Sequence, residues 1–359
     1  NMKKIYTLLL FTLAFFSSLN AQTYGNEWIQ YGQKYYSFEV YSTGIHKLDY
    51  MALSAANVPL TSFSTENIQL FGREQEIPIY IEDGGDSSFD FGDYILFYAE
   101  KNDGWLDTTL YESAQDVGNP KFSLYNDTIQ YFFTWNNSTT NLRFTNETDV
   151  DFNSYTPSNF ILFETFQSYF NAYNEGEKTS DASSSFYTSG EGWGSSAING
   201  VNGYTWDFSS TQLNQIYQGS DAPLIKYKAV SVGVSNASYN GSGNHHSKHT
   251  IGSSNFVLAD TIFTGYRAVH LESQFPVSIL PSSGNSNFKV QILGDQGALT
   301  DYQSLNYWSF VYPKIPSLSG ATFSKFNVKN NALESKIRLD LGSVAYVDPM
   351  VFVLGDTPR

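Results

Sequence analysis

The stretch GNHHSKHT, residues 243–250, holds three of the five histidines in this chain. Imidazole can ligate a transition metal or act as a general base near neutral pH, so the arrangement of the three rings matters. The neighbouring runs have strand character. His245, Ser247 and His249 should then share one face, with His246, Lys248 and Thr250 on the other. Along a strand His245 and His249 stand roughly 13 Å apart, too far to grip one zinc ion. A helix would bring them together, but Gly241, Gly243 and Gly252 argue against one. The expectation is a strand with solvent-facing or hydrogen-bonded histidines, not a ligand set.

A second candidate is EDGGDSSFDFGDY, residues 82–94. Asp83, Asp86, Asp90 and Asp93 crowd a glycine-containing loop, the kind of oxygen-rich, flexible segment that a hard cation such as calcium favours. The spacing is not that of an EF-hand, and no terminal bidentate Glu follows. The plainer reading is an acidic turn ahead of the strand DYILFYAE.

Glycoside hydrolysis needs two carboxyl groups across a bond. Glu164, Glu175, Glu177, Asp181 and Glu191 lie close in sequence, and Trp193 could serve as a sugar platform. Their spacing matches no recognisable pattern, and such a cluster is ordinarily a solvated face. No Gly-x-Ser-x-Gly elbow, P-loop or G-x-G-x-x-G occurs, which removes the usual footholds for serine hydrolases and nucleotide binders. With no cysteine in the chain, no thiolate nucleophile, thiolate zinc site or disulfide can form within it. The net charge of −15 offers no basic stripe for tracking phosphates, so nucleic acid is not an expected partner.

The elements that must position these residues read as strands. Aromatic residues make up 17% of the chain and charged residues only 15%, with Gly, Ser, Asn and Thr filling much of the rest. Aromatics suit pleated, half-buried surfaces, and the small polar residues suit turns. The opening NMKKIYTLLLFTLAFFSSLNAQ reads as a signal peptide over residues 1–21. Lys3 and Lys4 precede an apolar run too short to span a bilayer, and cleavage falls before Gln22. No transmembrane segment is expected, and the chain should be exported.

YYSFEVYSTGIHKLDY (35–50) predicts two strands around Ser42-Thr43-Gly44, and MALSAANVP one short helix. IQLFG, EIPIYIED, DYILFYAE and TIQYFFTWN add strands to this first block. A polar stretch near Thr148 to Asn159 divides it from a second block. There Phe163, Phe166, Tyr169 and Phe170 recur at three- and four-residue spacing, compatible with an amphipathic helix. TWDFS, LIKYKAVSVGV, SKHTIG, YRAVHLES, FKVQILG, LNYWSFVYP, SKIRLDLG and MVFVLG follow at the spacing of a β-sandwich. The expectation is a mainly β protein of two sandwich-like domains, residues 22–150 and 151–359, with few short helices.

Several stretches together resemble the N-terminal, non-catalytic region of gingipain-like (C25 family) cysteine peptidases, most nearly the sortases of the type IX secretion system of Bacteroidetes. They are EWIQYGQKYYSFEVYSTGIHKLDY, ENIQLFGREQEIPIYIEDGGDSSFDFGDYILFYAEKNDGWLD, SLYNDTIQYFFTWNNSTTNLRF, SGEGWG, NHHSKHTIG and LNYWSFVYPK. Their order and the pattern F-G-D-Y-I-L-F-Y at Phe91 to Tyr98 carry most of the weight.

The resemblance implies a β-rich region ahead of a catalytic α/β domain that lies beyond Arg359, and so a gene fragment. It also implies a cell-surface or outer-membrane location, with cargo sorting domains and other secretion components as partners. Such a sortase would cleave the sorting domain through a cysteine acyl-enzyme. No catalytic residue can be carried over, because none of the matching positions is a cysteine. From the residues alone, a stand-alone secreted β-sandwich binding or adhesion module, including one for glycans, stays open beside this reading.

Overall fold

The structure, a computed structural model, describes residues 25–359 except 180, 181, 332, 347, 348 and 356. The expected signal segment, residues 1–21, lies outside the described residues, as does Asp181. The chain forms two compact units. One comprises residues up to Ala99 together with Ile129–Asn146 and Phe352–Arg359, and the other Glu100–Thr128 and Glu147–Val351.

In the first unit the chain runs through β1 (Tyr36–Val40), β2 (Gly44–Asp49), α1 (Tyr50–Ala55), β3 (Ile68–Gly72) and β4 (Gln75–Ile77). It continues through β5 (Ile79–Glu82), β6 (Tyr94–Ala99) and β7 (Ile129–Trp135). These strands form two antiparallel sheets in the orders β1-β7-β3-β4 and β2-β6-β5. β6 shows why the sequence folds this way. Ile95, Phe97 and Ala99 are buried, while Tyr94, Leu96 and Tyr98 between them are only half-buried, the period of two that a sheet face imposes. With Val40, Ile68, Leu70, Ile79 and Phe133 the inward residues make one core. α1 is the one α-helix among the described residues. Asp49 caps it by accepting from the Ala52 N–H at 3.0 Å, and Leu53 anchors it in the core. The expected strands on either side of Ser42-Thr43-Gly44 are present but join different sheets, so that turn is a corner and not a hairpin.

The second unit carries β8 (Ile161–Ser168), β9 (Ala172–Asn174), β10 (Lys178–Thr179), β11 (Ala182–Ser183), β12 (Gly192–Gly194), β13 (Ile198–Asn199) and β14 (Tyr204–Phe208). β15 (Ile225–Gly233), β16 (His245–Ile251), β17 (Phe256–Phe263), β18 (Arg267–Phe275), β19 (Phe288–Ile292) and β20 (Tyr302–Lys314) follow. Its two larger sheets have the orders β13-β20-β15-β18, with β8 also on β20, and β14-β19-β16-β17. They share a core in which Tyr227, Trp308 and Phe310 of one sheet meet Ile251, Leu258 and Phe288 of the other. The Phe288 and Phe310 rings cross edge to face at 5.1 Å. The unit is a sandwich in this sense.

The predicted amphipathic helix around Phe163 is strand β8. It pairs with β20 from Ile161↔Lys314 to Ser168↔Tyr307. Pairing along eight residues satisfies more backbone than a short helix with two apolar turns could, and Phe163 enters the core while Phe166 stays half-exposed. SKIRLDLG and MVFVLG form no strands; Arg338 makes only an isolated bridge to Pro157. Val351 and Val353 are more than half exposed, so their alternation has no face to bury. The sequence reading also passed over NFVLADTIF, which contains β17.

Candidate functional site

The three histidines of β16 sit at the centre of their sheet, between β17 and β19. All three are buried, so the hydrogen-bonded form of the strand reading holds and the solvent-facing one does not. They do not converge. Each has its own partners, drawn from different parts of the second unit.

His245 places Nδ1 2.7 Å from Asp301 Oδ1 and Nε2 2.9 Å from the Ser235 carbonyl. Both ring nitrogens are thereby engaged, one by a side chain and one by the backbone. Asp301 Oδ1 also accepts from Gln303 Nε2 at 2.9 Å. The approach depends on Gly233 at the end of β15, where a Cβ would collide with the Gly265 carbonyl and the His245 ring.

His246 points to the opposite face. Its Nε2 lies 2.6 Å from Asp260 Oδ1 on β17, and its Nδ1 2.8 Å from Asp295 Oδ1 just after β19. Lys248 Nζ sits 3.0 Å from the other oxygen of Asp260. Burial works against charge on this ring, but the hydrogen bonds to Asp260 and Asp295 outweigh it and raise the His246 pKa. Hydrogen bonds from His246 and Lys248 lower Asp260; the Gln296 amide and His246 lower Asp295.

His249 is fully buried, and burial pushes its pKa down to about 3. It is a neutral ring among hydroxyls. Tyr227 Oη is 2.5 Å from Nδ1, Ser247 Oγ 2.9 Å and Ser231 Oγ 3.3 Å from Nε2. Burial also drives the Tyr227 phenol well up, so it keeps its proton and donates to Nδ1, leaving Nε2–H to donate to a serine oxygen. A serine beside a histidine suggests a nucleophile and its base, but Ser231, Ser247 and His249 are all sealed from solvent. The trio ties strands together and offers no substrate an approach.

The acidic loop uses its carboxylates locally. Asp83 accepts from the Thr65 hydroxyl at 2.6 Å and the Gly85 N–H at 3.0 Å. Asp86 accepts from the Ser88 N–H at 2.8 Å, and Asp93 from the Asp90 N–H at 2.6 Å. These are side-chain turns in which the acid replaces a backbone acceptor. Phe89, buried in the core, pins the loop between them. Among the described residues no three His, Cys, Asp or Glu side chains are grouped to hold a metal ion.

Of the other acids, Glu164, Glu175 and Glu191 are similarly engaged. Glu164 accepts from Tyr307 Oη at 3.2 Å, and Glu191 from Tyr173 Oη at 3.0 Å and the Thr188 N–H at 3.1 Å. Glu175 pairs with Lys178. Trp193 donates to the Leu124 carbonyl at 3.0 Å. The partners that sequence reasoning missed are Asp260, Asp295 and Asp301. They lie 14, 49 and 56 residues from the histidines they meet, so no local spacing marks them. Recognising β17 would have supplied Asp260, which stands opposite Lys248 in the register.

No protein-family model and no curated protein matches the chain. Among solved structures it is similar to dimeric latent PorU from Porphyromonas gingivalis, with 10% identity and a TM-score of 0.41, over 79% of this chain and 24% of that one. It thus spans about a quarter of that PorU chain. A fainter likeness joins it to BuGH86 in complex with neoagarooctaose, with 9% identity and a TM-score of 0.20, over 77% of this chain and 32% of that one. A third joins it to infectious bursal disease virus of the Gx strain, with 8% identity and a TM-score of 0.18, over 79% of this chain and 72% of that one. The likeness is one of distant, partial β-rich fold.

Proposed function

We propose that this chain is the non-catalytic front of a PorU-type sortase, a C25-family cysteine peptidase that processes the sorting domains of cargo at the cell surface. The observation that carries the reading is the ordered set of sequence stretches, above all F-G-D-Y-I-L-F-Y. In the fold its first residues close the acidic loop, with Gly92 at φ 112° and Asp93 capping Asp90, and the rest form β6. The motif therefore has a structural job, to end a loop and launch a core strand. The absence of cysteine fits a segment that carries no nucleophile. The β16 histidines fit it too, since they are spent on structure. The role assigned to this segment is to position a catalytic domain and to dock neighbouring secretion components.

Sequencing the gene past Arg359 tests the proposal. A downstream His and Cys in an alternating strand–helix pattern supports it, and a stop codon directly after Arg359 removes it. Where the catalytic domain is found, deleting the gene should leave cargo sorting domains uncleaved in the parent bacterium. Normal cargo processing in the deletion strain would withdraw the sortase role.

A further inference from the structure

β8 is an edge strand with an unfinished neighbour. One side pairs with β20. On the other, the Leu162 N–H donates to the Asn327 carbonyl at 2.8 Å and the Asn327 N–H returns a bond to Leu162 at 2.9 Å. This is a doubly bonded antiparallel pair, and it stands as an isolated bridge. Because backbone groups alternate in direction, those of Glu164, Phe166 and Ser168 face the same way as those of Leu162. They have no backbone partner among the described residues.

The bridge fixes what an added strand would bring. Two residues on, Glu164 stands opposite Lys325; two more, Phe166 opposite Phe323; then Ser168 opposite Ala321. Each of the first two is a favourable cross-strand pair, one of opposite charge and one aromatic. The two rings are about equally exposed, Phe166 at 50% and Phe323 at 49%, while Lys121 Nζ lies 5.1 Å from the Phe166 ring centroid and 3.7 Å from Glu164 Oε2. Lys325 presently reaches Glu100, with Nζ 3.2 Å from Oε1.

We propose that residues 321–326 close onto the free edge of β8 as an added antiparallel strand, in the register that the Leu162–Asn327 bridge sets. Closing moves Lys325 from Glu100 to Glu164, covers Phe166 with Phe323, and satisfies the open backbone groups of Glu164 and Phe166. It also removes an edge on which a foreign strand could pair. The segment is a strap with two seats, and the edge of β8 is its second.

The absence of cysteine gives a clean test. Doubly bonded antiparallel partners have Cα atoms about 5.5 Å apart, within disulfide reach. In the full chain, Phe166→Cys with Phe323→Cys should oxidise to an intramolecular disulfide at least tenfold faster than Phe166→Cys with Ser324→Cys, one residue out of register. Glu164→Lys should slow the first pair, and adding Lys325→Glu should restore it. Equal rates for the two pairs, or indifference to the charge changes, overturn the proposal. Should a cysteine variant fold poorly, hydrogen exchange on the unaltered protein decides. The Glu164 and Phe166 amides should be protected and lose that protection in Asn327→Pro. Unprotected amides in the parent protein refute the strap.

Discussion

His245 Nδ1 lies 2.7 Å from Asp301 Oδ1, and both side chains are almost wholly out of solvent. The contact joins β16 to the residue just before β20, and so ties one sheet of the second unit to the other. Removing one partner strands the other's polar atoms in a dry site.

Asp301→Ala should therefore destabilise the second unit by about 3–5 kcal/mol, the usual cost of leaving one member of a buried pair alone. Urea unfolding followed by tryptophan fluorescence measures it. His245→Ala made together with Asp301→Ala should cost clearly less than the sum of the two single changes. Additive losses would mean that the pair is not coupled.

His249 sets an acid limit. Its folded pKa of about 3 lies below the unfolded value of about 6.5, so the stability it contributes is present above pH 6.5 and drains as pH falls toward 3. At ~1.4 kcal/mol per pKa unit, the full loss is several kcal/mol. His249→Gln should give a protein that is less stable at neutral pH but whose acid limb is flatter. A parent and variant with parallel acid limbs would place the acid sensitivity elsewhere.

His246 acts with the opposite sign. Its folded pKa is raised, so its contribution is complete below about pH 6.5 and is lost as pH climbs through the folded value. Asp260 and Asp295 are lowered, and their share is lost only on strong acidification. Ring NMR titration should show His246 gaining its proton at higher pH than a free imidazole. Asp260→Asn with Asp295→Asn should abolish that rise.

Calcium should not stabilise the loop at Asp83, Asp86, Asp90 and Asp93. Three of those four carboxylates already accept hydrogen bonds from the turn and its neighbour Thr65. Melting curves in millimolar calcium and in chelator should coincide. A calcium-dependent rise that disappears in Asp86→Ala with Asp90→Ala would establish a bound ion there.

On the proposed reading, the purified chain should leave sorting-domain cargo and general peptide substrates intact, since the proposed chemistry runs through a cysteine that this chain does not carry. Turnover that follows the chain through purification would overturn the assignment to a non-catalytic region.

The β class was legible because its signal is local. Alternation at Tyr94–Ala99 and the aromatic run of β7 name their own state, and the short helix was expected over MALSAANVP, though its Asp49 cap and Leu53 anchor emerge only in the structure. β8 was not legible as a strand. Its aromatics fall at helical spacing by accident, and only the matching length of β20 shows which structure wins. The histidine strand was half legible. Alternation correctly set His246 against its neighbours, but the acids that decide protonation arrive through sheet pairing. In the acidic loop the sequence showed the carboxylates but not their partners, and three of the four accept hydrogen bonds from the turn and from Thr65.

The first unit is sewn from separated lengths of chain, and this has a consequence in time. β7 lies between β1 and β3 in its sheet, yet it begins at Ile129, after the chain has left the unit at Ala99. Until that central strand has been made, β1 and β3 have no common partner, and their apolar faces wait uncovered. The sheet therefore cannot close when the chain leaves at Ala99 and must wait for its return at Ile129. Such a delay rewards a cell that keeps the emerging chain from its neighbours, because unpaired strands held open are the species that aggregate.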